Sequence, residues 1–244
     1  MTRTQQTAAT HVVDAAALEI FQNQWEIYRK FLRHDYLGNA GAYAALRRYL
    51  DRHVAREFSF LDLACGDASG IVGALRGTRI AAYRGVDLSA PALRLARENL
   101  AELRRPVELD ESDFSVALKP PAAATDVVWI SLSLHHLEAP DKLAFMRDVR
   151  ASLGSDGQFF VYEPTRRDGE TRAAYLDRFE AIGREDWTEL APDEFDEAMK
   201  HVRTCDVPET VSDWALLGEQ AGFASREELF CSGRDLFRLY VYKP

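Results

Sequence analysis

Five short apolar segments alternate with helix-forming segments in the middle of the chain, and this alternation constrains the fold more than any other feature. The segments are predicted strands at residues 58–64, 79–87, 106–110, 125–133 and 158–164. Between them the sequence shows helical apolar periodicity, with Ser89 as a predicted N-cap and Gly154 as a predicted C-cap. Strands and helices in this order form a parallel sheet with helices on both faces. We therefore expect an α/β fold whose ligand sites lie at the carboxyl ends of the strands.

The segments before and after this core predict additional elements. Residues 1–55 contain two helical stretches and are predicted to form an N-terminal helical extension that acts as a lid. Residues 56–244 form the predicted ligand-binding domain, in which the charged residues 165–205 are an inserted helical cap. Two closing strands around the turn at 232–235 complete a doubly wound, mostly parallel, seven-stranded Rossmann-like sheet.

Charge and cysteine content limit the partners and the compartment. The 244 residues carry a formal net charge of −9, and an acidic surface repels phosphate backbones, so we expect no nucleic-acid partner. Three widely separated cysteines have no metal-ligand spacing, which predicts reduced thiols in the cytoplasm and no bound metal. The chain shows neither a signal-peptide pattern nor an apolar stretch of about 18 residues, so no membrane association is expected. The oligomeric state stays open.

The turn after the first predicted strand, Asp62-Leu-Ala-Cys-Gly-Asp-Ala-Ser-Gly70, is the first candidate ligand site. A dinucleotide-binding turn has the pattern Gly-x-Gly-x-x-Gly, whose glycines admit a pyrophosphate. Here only Gly66 fits that pattern, because Ala64 and Ser69 stand at the other two glycine positions. A ligand without phosphate needs less room, and the acidic Asp62 suits a cationic group such as an α-ammonium. These residues argue against a pyrophosphate ligand.

This turn resembles the first motif of the class I S-adenosylmethionine-dependent methyltransferases, Asp/Glu-x-Gly-x-Gly. The resemblance implies that Asp62 holds the methionine amino group, partly through water, and that the backbone of the turn lines the cofactor. The cofactor contacts predicted here are Asp62, Ala64, Cys65, Gly66 and Asp67. Ala64 departs from the commoner glycine, although alanine is the smallest substitution. The resemblance covers about residues 56–164 at the level of motifs.

Two further strand ends fit the same cofactor. Asp87 ends the second strand about 20 residues after the first turn, where a carboxylate can accept hydrogen bonds from a ribose diol. The resemblance implies this function for Asp87, with Leu88 beside it; helix capping is the alternative, for which Ser89 is better placed. After the third strand, Asp113 is implied to bind the adenine amine while the Phe114 ring packs on the base. An acidic loop with one buried phenylalanine is the alternative interpretation of that pair.

The fourth strand leads into Ser131-Leu-Ser-Leu-His-His-Leu137, which resembles the same region of methyltransferases from quinone and natural-product biosynthesis. Ser131 is predicted to contact the cofactor. Methyl transfer to oxygen or nitrogen removes a proton from the acceptor, and a histidine with an ordinary pKa near ~6.5 suits that task. His136 is the preferred base and His135 the second candidate. Both histidines could instead be structural, and that interpretation stays open.

Aromatic and charged residues outside these motifs predict an acceptor pocket. The candidates for substrate contact are Tyr28, Tyr36, Glu163 and Arg166, from the segments expected to close over the cofactor. Glu163, at the end of the fifth strand, could bind the acceptor or act as an alternative base. An aromatic stripe at helical spacing is also typical of a core, and charged cap residues are commonly solvated.

The resemblance implies transfer of a methyl group from S-adenosyl-L-methionine to an O, N or C atom of a small-molecule acceptor, with S-adenosyl-L-homocysteine as the product. An NAD(P)-dependent oxidoreductase on a similar sheet is an alternative. The missing glycines and the lack of a Tyr-x-x-x-Lys pair after the fourth strand disfavour it. A non-catalytic, cofactor-binding regulatory or scaffold protein is a further alternative, as is a methyltransferase that acts on protein or RNA.

Overall fold

An eight-stranded sheet lies at the centre of the protein. The computed structural model describes residue 27 and residues 29–118 and 124–244. The strands are β1 (Phe58–Leu63), β2 (Ile80–Asp87), β3 (Val107–Glu111), β4 (Thr125–Ser131), β5 (Leu153–Arg166), β6 (Glu209–Thr210), β7 (Ser225–Cys231) and β8 (Phe237–Lys243). Seven of them follow one path in the order β3-β2-β1-β4-β5-β8-β7, and the two-residue β6 pairs with β5 off this path.

The direction of the strands matches the prediction. β1 to β5 pair in parallel, whereas β8 is antiparallel to both of its neighbours, β5 and β7. The doubly wound, mostly parallel, seven-stranded sheet is therefore confirmed, with β6 as an addition. β5 begins earlier than predicted, because Leu153 already has extended backbone angles. Gly154 consequently lies inside the strand, and the prediction that it caps the preceding helix is wrong.

Helices cover both faces of the sheet. They are α1 (Asn39–His53), α2 (Ser69–Leu75), α3 (Ala90–Leu100), α4 (Ala139–Ser152), α5 (Arg172–Asp186), α6 (Pro192–Cys205) and α7 (Val211–Gln220). Successive residues of a strand point to opposite faces, so Phe60 joins one core and Leu61 the other. The first core contains residues of α1, α2 and α3, and the second contains residues of α4 and α7. Among the described residues, no helix is both long and apolar enough to cross a bilayer.

The N-terminal region is described only from residue 27 onward. Residues 29–33 are helical, and α1 packs on α2 and β7 with Leu46 and Leu50 buried in the first core. Tyr28 and the helix predicted before it lie outside the described residues. The division of the chain at residue 55 and the lid function of the extension stay predictions.

Two helices, α5 and α6, occupy the segment predicted as a cap. Phe179 and Phe195 pack against the ring of Trp187 between them. Gly183 allows this contact, because a Cβ at that position would lie 2.7 Å from the Trp187 ring. These aromatic residues belong to the first core, so the cap packs directly against the rest of the domain.

The register of the sheet brings three strand ends to one level. Leu63 of β1 pairs with Val86 of β2 and with Ile130 of β4, so the residues that follow these strands emerge side by side. The order of strands reverses at β1, since β2 lies on one side of it and β4 on the other. Such a reversal opens a crevice at the carboxyl ends of parallel strands, where ligands bind in this kind of sheet.

Candidate cofactor site and adjoining pocket

The turn between β1 and α2 changes direction through three residues with left-handed backbone angles. Ala64, Gly66 and Ala68 have φ values of 57°, 53° and 55°. The carboxylate of Asp67 accepts hydrogen bonds from the backbone N–H and the hydroxyl of Ser69, the first residue of α2. The turn is thus a compact backbone wall, with small side chains where a ligand can approach it.

Asp62 lies beneath this turn and is buried. The hydroxyl of Tyr83 donates a hydrogen bond to its Oδ2 at 2.6 Å. Burial raises the pKa of Asp62 to about 7, although the hydrogen bond from Tyr83 opposes that shift. A cavity of about 20 Å³, lined by Asp62 together with Ala64, Cys65 and Asp67, has room for about one water molecule. A cationic group placed nearby would favour the ionised carboxylate.

Asp87 joins the end of β2 to the turn after β1. Its Oδ2 accepts a hydrogen bond from the backbone N–H of Gly66, and its Oδ1 accepts one from the backbone N–H of Ser89, both at 2.8 Å. Burial raises the pKa of Asp87, and these backbone hydrogen bonds oppose the shift. The Ser89 hydroxyl accepts from the backbone N–H of Ala92 and caps α3, as predicted. A carboxylate offers about four lone-pair sites, so two remain for a ligand.

A large cavity of about 710 Å³ opens over the ends of β1, β2 and β4, within the range of about 300–1,000 Å³ typical of small-molecule sites. Its lining includes seven residues singled out in the sequence: Ala64, Gly66, Asp87, Leu88, Phe114, Ser131 and His136. Ser112, which no motif indicated, also lines it. Asp113 is not among the described lining residues, and its Oδ1 accepts a hydrogen bond from the backbone N–H of Ser115. Of the predicted adenine pair, only Phe114 faces the cavity.

Glu163 holds the short 3-10 turn Leu134–His136, which we call the His turn. The fully buried carboxylate accepts hydrogen bonds from the backbone N–H groups of Ser133 at 3.0 Å and Leu134 at 2.8 Å. Its Oε2 also lies 2.5 Å from Nδ1 of His135. Glu163 is not among the described residues that line the two cavities, so this contact set gives it a positioning function beneath the turn.

The two histidines of the His turn have different surroundings. His135 is buried; burial disfavours its charged form, but Asp206 and Glu163 together raise its pKa. His136 lines the large cavity with 37% of its side chain exposed. Burial of its inner part, with the neighbouring His135 and His201, lowers the pKa of His136 well below its ordinary value. His136 is therefore neutral near pH 7.

A smaller, mostly apolar pocket of about 160 Å³ lies on the other side of the His turn, between β5, β8 and the cap. Its apolar wall consists of Ile27, Phe31, Leu37, Leu132, Pro164, Phe179, Ala198, Val202 and Phe237. Leu132, His136 and His201 line this pocket and the large cavity alike, so the two spaces adjoin at the His turn. His201 and Asp206 come from α6 and the residue after it, and no sequence spacing linked them to the His turn.

Two predicted substrate residues, Tyr36 and Arg166, form hydrogen bonds within the protein. The Tyr36 hydroxyl accepts a hydrogen bond from the backbone N–H of Glu189 at 3.0 Å, which ties the N-terminal segment to the cap. The Arg166 guanidinium donates to the carbonyl oxygens of Pro208 and Glu170 at 2.7 and 2.6 Å. Neither residue is among the described lining of the two cavities. Of the other two substrate candidates, Glu163 lies beneath the His turn, and Tyr28 lies outside the described residues.

Part of the chain matches a known family, and solved structures share its fold. Residues 60–157 match the family described as methyltransferase domain. No curated protein sequence matches the chain. The plantazolicin methyltransferase BamL, solved in complex with a triazolic desmethylPZN analog and SAH, is similar in structure with a TM-score of 0.65 at 14% identity. That alignment covers 91% of both chains.

Two more solved structures share the fold. The mitomycin 7-O-methyltransferase MmcR has a TM-score of 0.60 at 18% identity over 95% of this chain, which spans 59% of the length of MmcR. A possible exported protein from Bordetella parapertussis has a TM-score of 0.60 at 18% identity, with 83% of this chain and 67% of that chain covered. The match over residues 60–157 agrees with the resemblance seen in the turn after β1, and the solved structures show that the chain shares the fold of these methyltransferases.

Proposed function

We propose that the protein transfers the methyl group of S-adenosyl-L-methionine to an oxygen, nitrogen or carbon atom of a small-molecule acceptor, and releases S-adenosyl-L-homocysteine. The main observation that supports this proposal is the position of two cavities. A cavity large enough for the donor and an apolar pocket for an acceptor adjoin at the His turn, where Leu132, His136 and His201 line both.

The large cavity offers groups that match each part of the donor. The two remaining lone-pair sites of Asp87 suit the ribose hydroxyls, and Leu88 and Phe114 offer apolar surface for the adenine ring. The buried Asp62 suits the methionine ammonium, with the small cavity beside it for a bridging water. We propose Ala64, Cys65, Gly66, Asp67 and Ser131 as the remaining donor contacts. When bound, the donor supplies a sulfonium methyl group for in-line displacement.

The acceptor side supports a small, largely apolar molecule. Phe31, Phe179 and Phe237 contribute aromatic surface to the apolar pocket, whose volume of about 160 Å³ holds one ring system rather than a polymer. We propose that the cap over residues 165–205 closes this side and excludes water. An acceptor oxygen or nitrogen must lose a proton, and His136 faces the junction in its neutral form, which can accept one.

Calorimetric titration of the purified protein tests the donor assignment first. S-adenosylmethionine, S-adenosylhomocysteine and NADPH are titrated separately into the wild type and into Asp87→Ala. We expect micromolar binding of the two adenosyl ligands and none of NADPH, with the binding lost in the variant. Binding of NADPH alone would overturn the proposal in favour of an oxidoreductase.

An acceptor screen tests the transfer itself. S-adenosylhomocysteine formation is followed with single-ring phenols, amines and carbon acids, and with a protein extract and total RNA as macromolecular acceptors. Turnover with small molecules alone supports the proposal. Donor binding without turnover of any acceptor would favour a non-catalytic binding protein.

A further inference from the structure

Asp206 presents a buried carboxylate oxygen that its surroundings leave unsatisfied. Its side chain is only 8% exposed, and Oδ1 has no hydrogen-bond partner among the described residues. Nε2 of His135 lies 3.5 Å from this oxygen, and Nδ1 of His136 lies 3.7 Å from it. Both separations exceed the length of about 2.7–3.2 Å that is usual for a nitrogen–oxygen hydrogen bond. A buried acceptor without a partner costs free energy, so something is expected to fill the gap.

The contact with Glu163 determines which nitrogen of His135 faces that gap. Nδ1 of His135 lies 2.5 Å from Oε2 of Glu163, so this nitrogen is the donor. In the neutral ring, Nε2 then directs a lone pair at Oδ1 of Asp206. Two acceptors that face each other in a buried site repel unless a proton or a metal ion lies between them. A histidine whose second nitrogen donates to a carboxylate is also the usual arrangement of a metal ligand.

We propose that His135, His136 and Asp206 bind a divalent transition-metal ion, with zinc as the best match to two imidazoles and one carboxylate. Their ligand atoms all lie within 4.8 Å of one another. Zinc bonds of about 2.0–2.2 Å in a tetrahedron place neighbouring ligand atoms about 3.3–3.6 Å apart. The two separations from Asp206, 3.5 and 3.7 Å, are close to that range, and the two imidazole nitrogens lie within 4.8 Å of each other. Three protein ligands leave the fourth position open, as in catalytic zinc sites.

The open position adjoins the proposed acceptor site, because His136 lines both cavities. An acceptor that binds the ion at the open position needs an oxygen ligand. We therefore infer an acceptor with a hydroxyl group, such as a phenol or an enol. Binding lowers the pKa of the hydroxyl, and its proton passes to water, so with the ion bound His136 is a ligand and not the base. The oxygen then forms a bond to the methyl carbon as the carbon–sulfur bond breaks, and S-adenosylhomocysteine leaves. This use of the metal rests on the proposed function, whereas the metal site itself does not.

The competing arrangement is a metal-free site in which a charged His135 ring bridges Glu163 and Asp206. The two arrangements predict different results when the intact chain, stripped with a chelator and dialysed, is titrated with Zn²⁺ and with Co²⁺. We expect one equivalent of either ion by calorimetry, and visible absorption from cobalt in a four- or five-coordinate site. A stripped protein that takes up no ion, with nitrogen-15 spectra showing a doubly protonated His135, would overturn the proposal.

Variants assign the bound ion to the three ligands. We expect His136→Ala and Asp206→Asn to weaken Zn²⁺ binding at least 100-fold, and His53→Ala, a histidine at the far end of α1, to leave it unchanged. His136 is partly exposed, so its replacement tests the proposal even if the Asp206 variant fails to fold. Equal zinc affinity in His136→Ala and His53→Ala would contradict the site. S-adenosylmethionine binding to the stripped protein is measured in parallel, which separates failure of the metal site from failure of the proposed function.

Discussion

Oδ2 of Asp87 and the backbone N–H of Gly66 are joined by a hydrogen bond of 2.8 Å, which links the ends of two neighbouring strands. The same carboxylate is our proposed ribose ligand. Replacing it with alanine removes two hydrogen bonds to a charged group, each worth about 1.5–3 kcal/mol. We therefore expect Asp87→Ala to weaken S-adenosylmethionine binding at least about 100-fold in calorimetry.

Asp110 provides the matched control for this variant. It lies on β3 and forms a half-exposed ion pair with Arg84 at 2.7 Å, away from the large cavity. Asp110→Ala should change donor affinity less than about twofold, since exposed ion pairs contribute little. Equal losses in the two variants would mean that Asp87 acts only by maintaining the fold.

The structure separates the two residues of the predicted adenine pair. Phe114 lines the large cavity, whereas Asp113 is engaged with the backbone of Ser115. Stacking of a base on an aromatic ring contributes about 1–3 kcal/mol, so Phe114→Ala should weaken donor binding about 10-fold or more. Asp113→Asn should change it less than about twofold. A larger loss in Asp113→Asn than in Phe114→Ala would restore the original assignment of Asp113 to the adenine amine.

The donor affinity should depend on pH through Asp62. Burial raises the pKa of this carboxyl to about 7, and the methionine ammonium favours its ionised form. Affinity for S-adenosylmethionine should therefore rise several-fold between pH 6 and about 7.5, and fall above about 8, where an α-amino group loses its charge. Asp62→Asn should bind more weakly and show no rise over the lower interval.

The stability of the ligand-free protein gives a second readout for Asp62. The folded form binds the proton more tightly than the unfolded form, because the folded pKa is the higher one. The contribution of Asp62 to the free energy of unfolding is thus complete below about pH 4 and is lost as the pH rises through about 7. Asp62→Asn should flatten that part of the stability profile.

The affinity for S-adenosylmethionine provides the contrary outcome. If the wild-type affinity is independent of pH from 6 to 7.5, Asp62 does not contact the ammonium.

Ala64 has a φ of 57°, a left-handed angle that costs an L-residue about 1–2 kcal/mol. Glycine adopts this angle freely but loses more backbone entropy on folding, so Ala64→Gly should raise the free energy of unfolding by roughly 0.5–1 kcal/mol. Ala44→Gly, at an exposed helical position in α1, should lower it by about 1 kcal/mol. Denaturant titrations measure the free energy of unfolding of both variants. Equal destabilisation by the two substitutions would show that the turn is not strained.

The residues that the sequence singled out for the donor lie at or after the ends of strands. Strand ends are visible as the points where apolar runs stop, and parallel order brings them together. Ala64, Asp87 and His136 reach the large cavity for this reason.

Contacts between distant segments could not be predicted in the same way. Asp206 meets the His turn only because β5, the cap and β6 fold back on one another, and no periodicity encodes that approach. Glu163 lies inside β5, which continues to Arg166, and the N–H groups of the adjacent turn donate hydrogen bonds to its carboxylate. Tyr36 and Arg166 likewise form hydrogen bonds with the backbone of Glu189, Pro208 and Glu170, contacts that residue type alone does not predict.

The position of β8 affects how the chain can fold during synthesis. β8 follows β7 in the sequence but lies between β5 and β7 in the sheet. A ribosome therefore releases β7 before the strand that connects it to the rest of the molecule. Until β8 emerges, β5 has an unpaired edge with buried aromatic side chains such as Phe160 and Tyr162, which is an aggregation hazard. The nascent chain is thus exposed to this hazard until β8 pairs with β5.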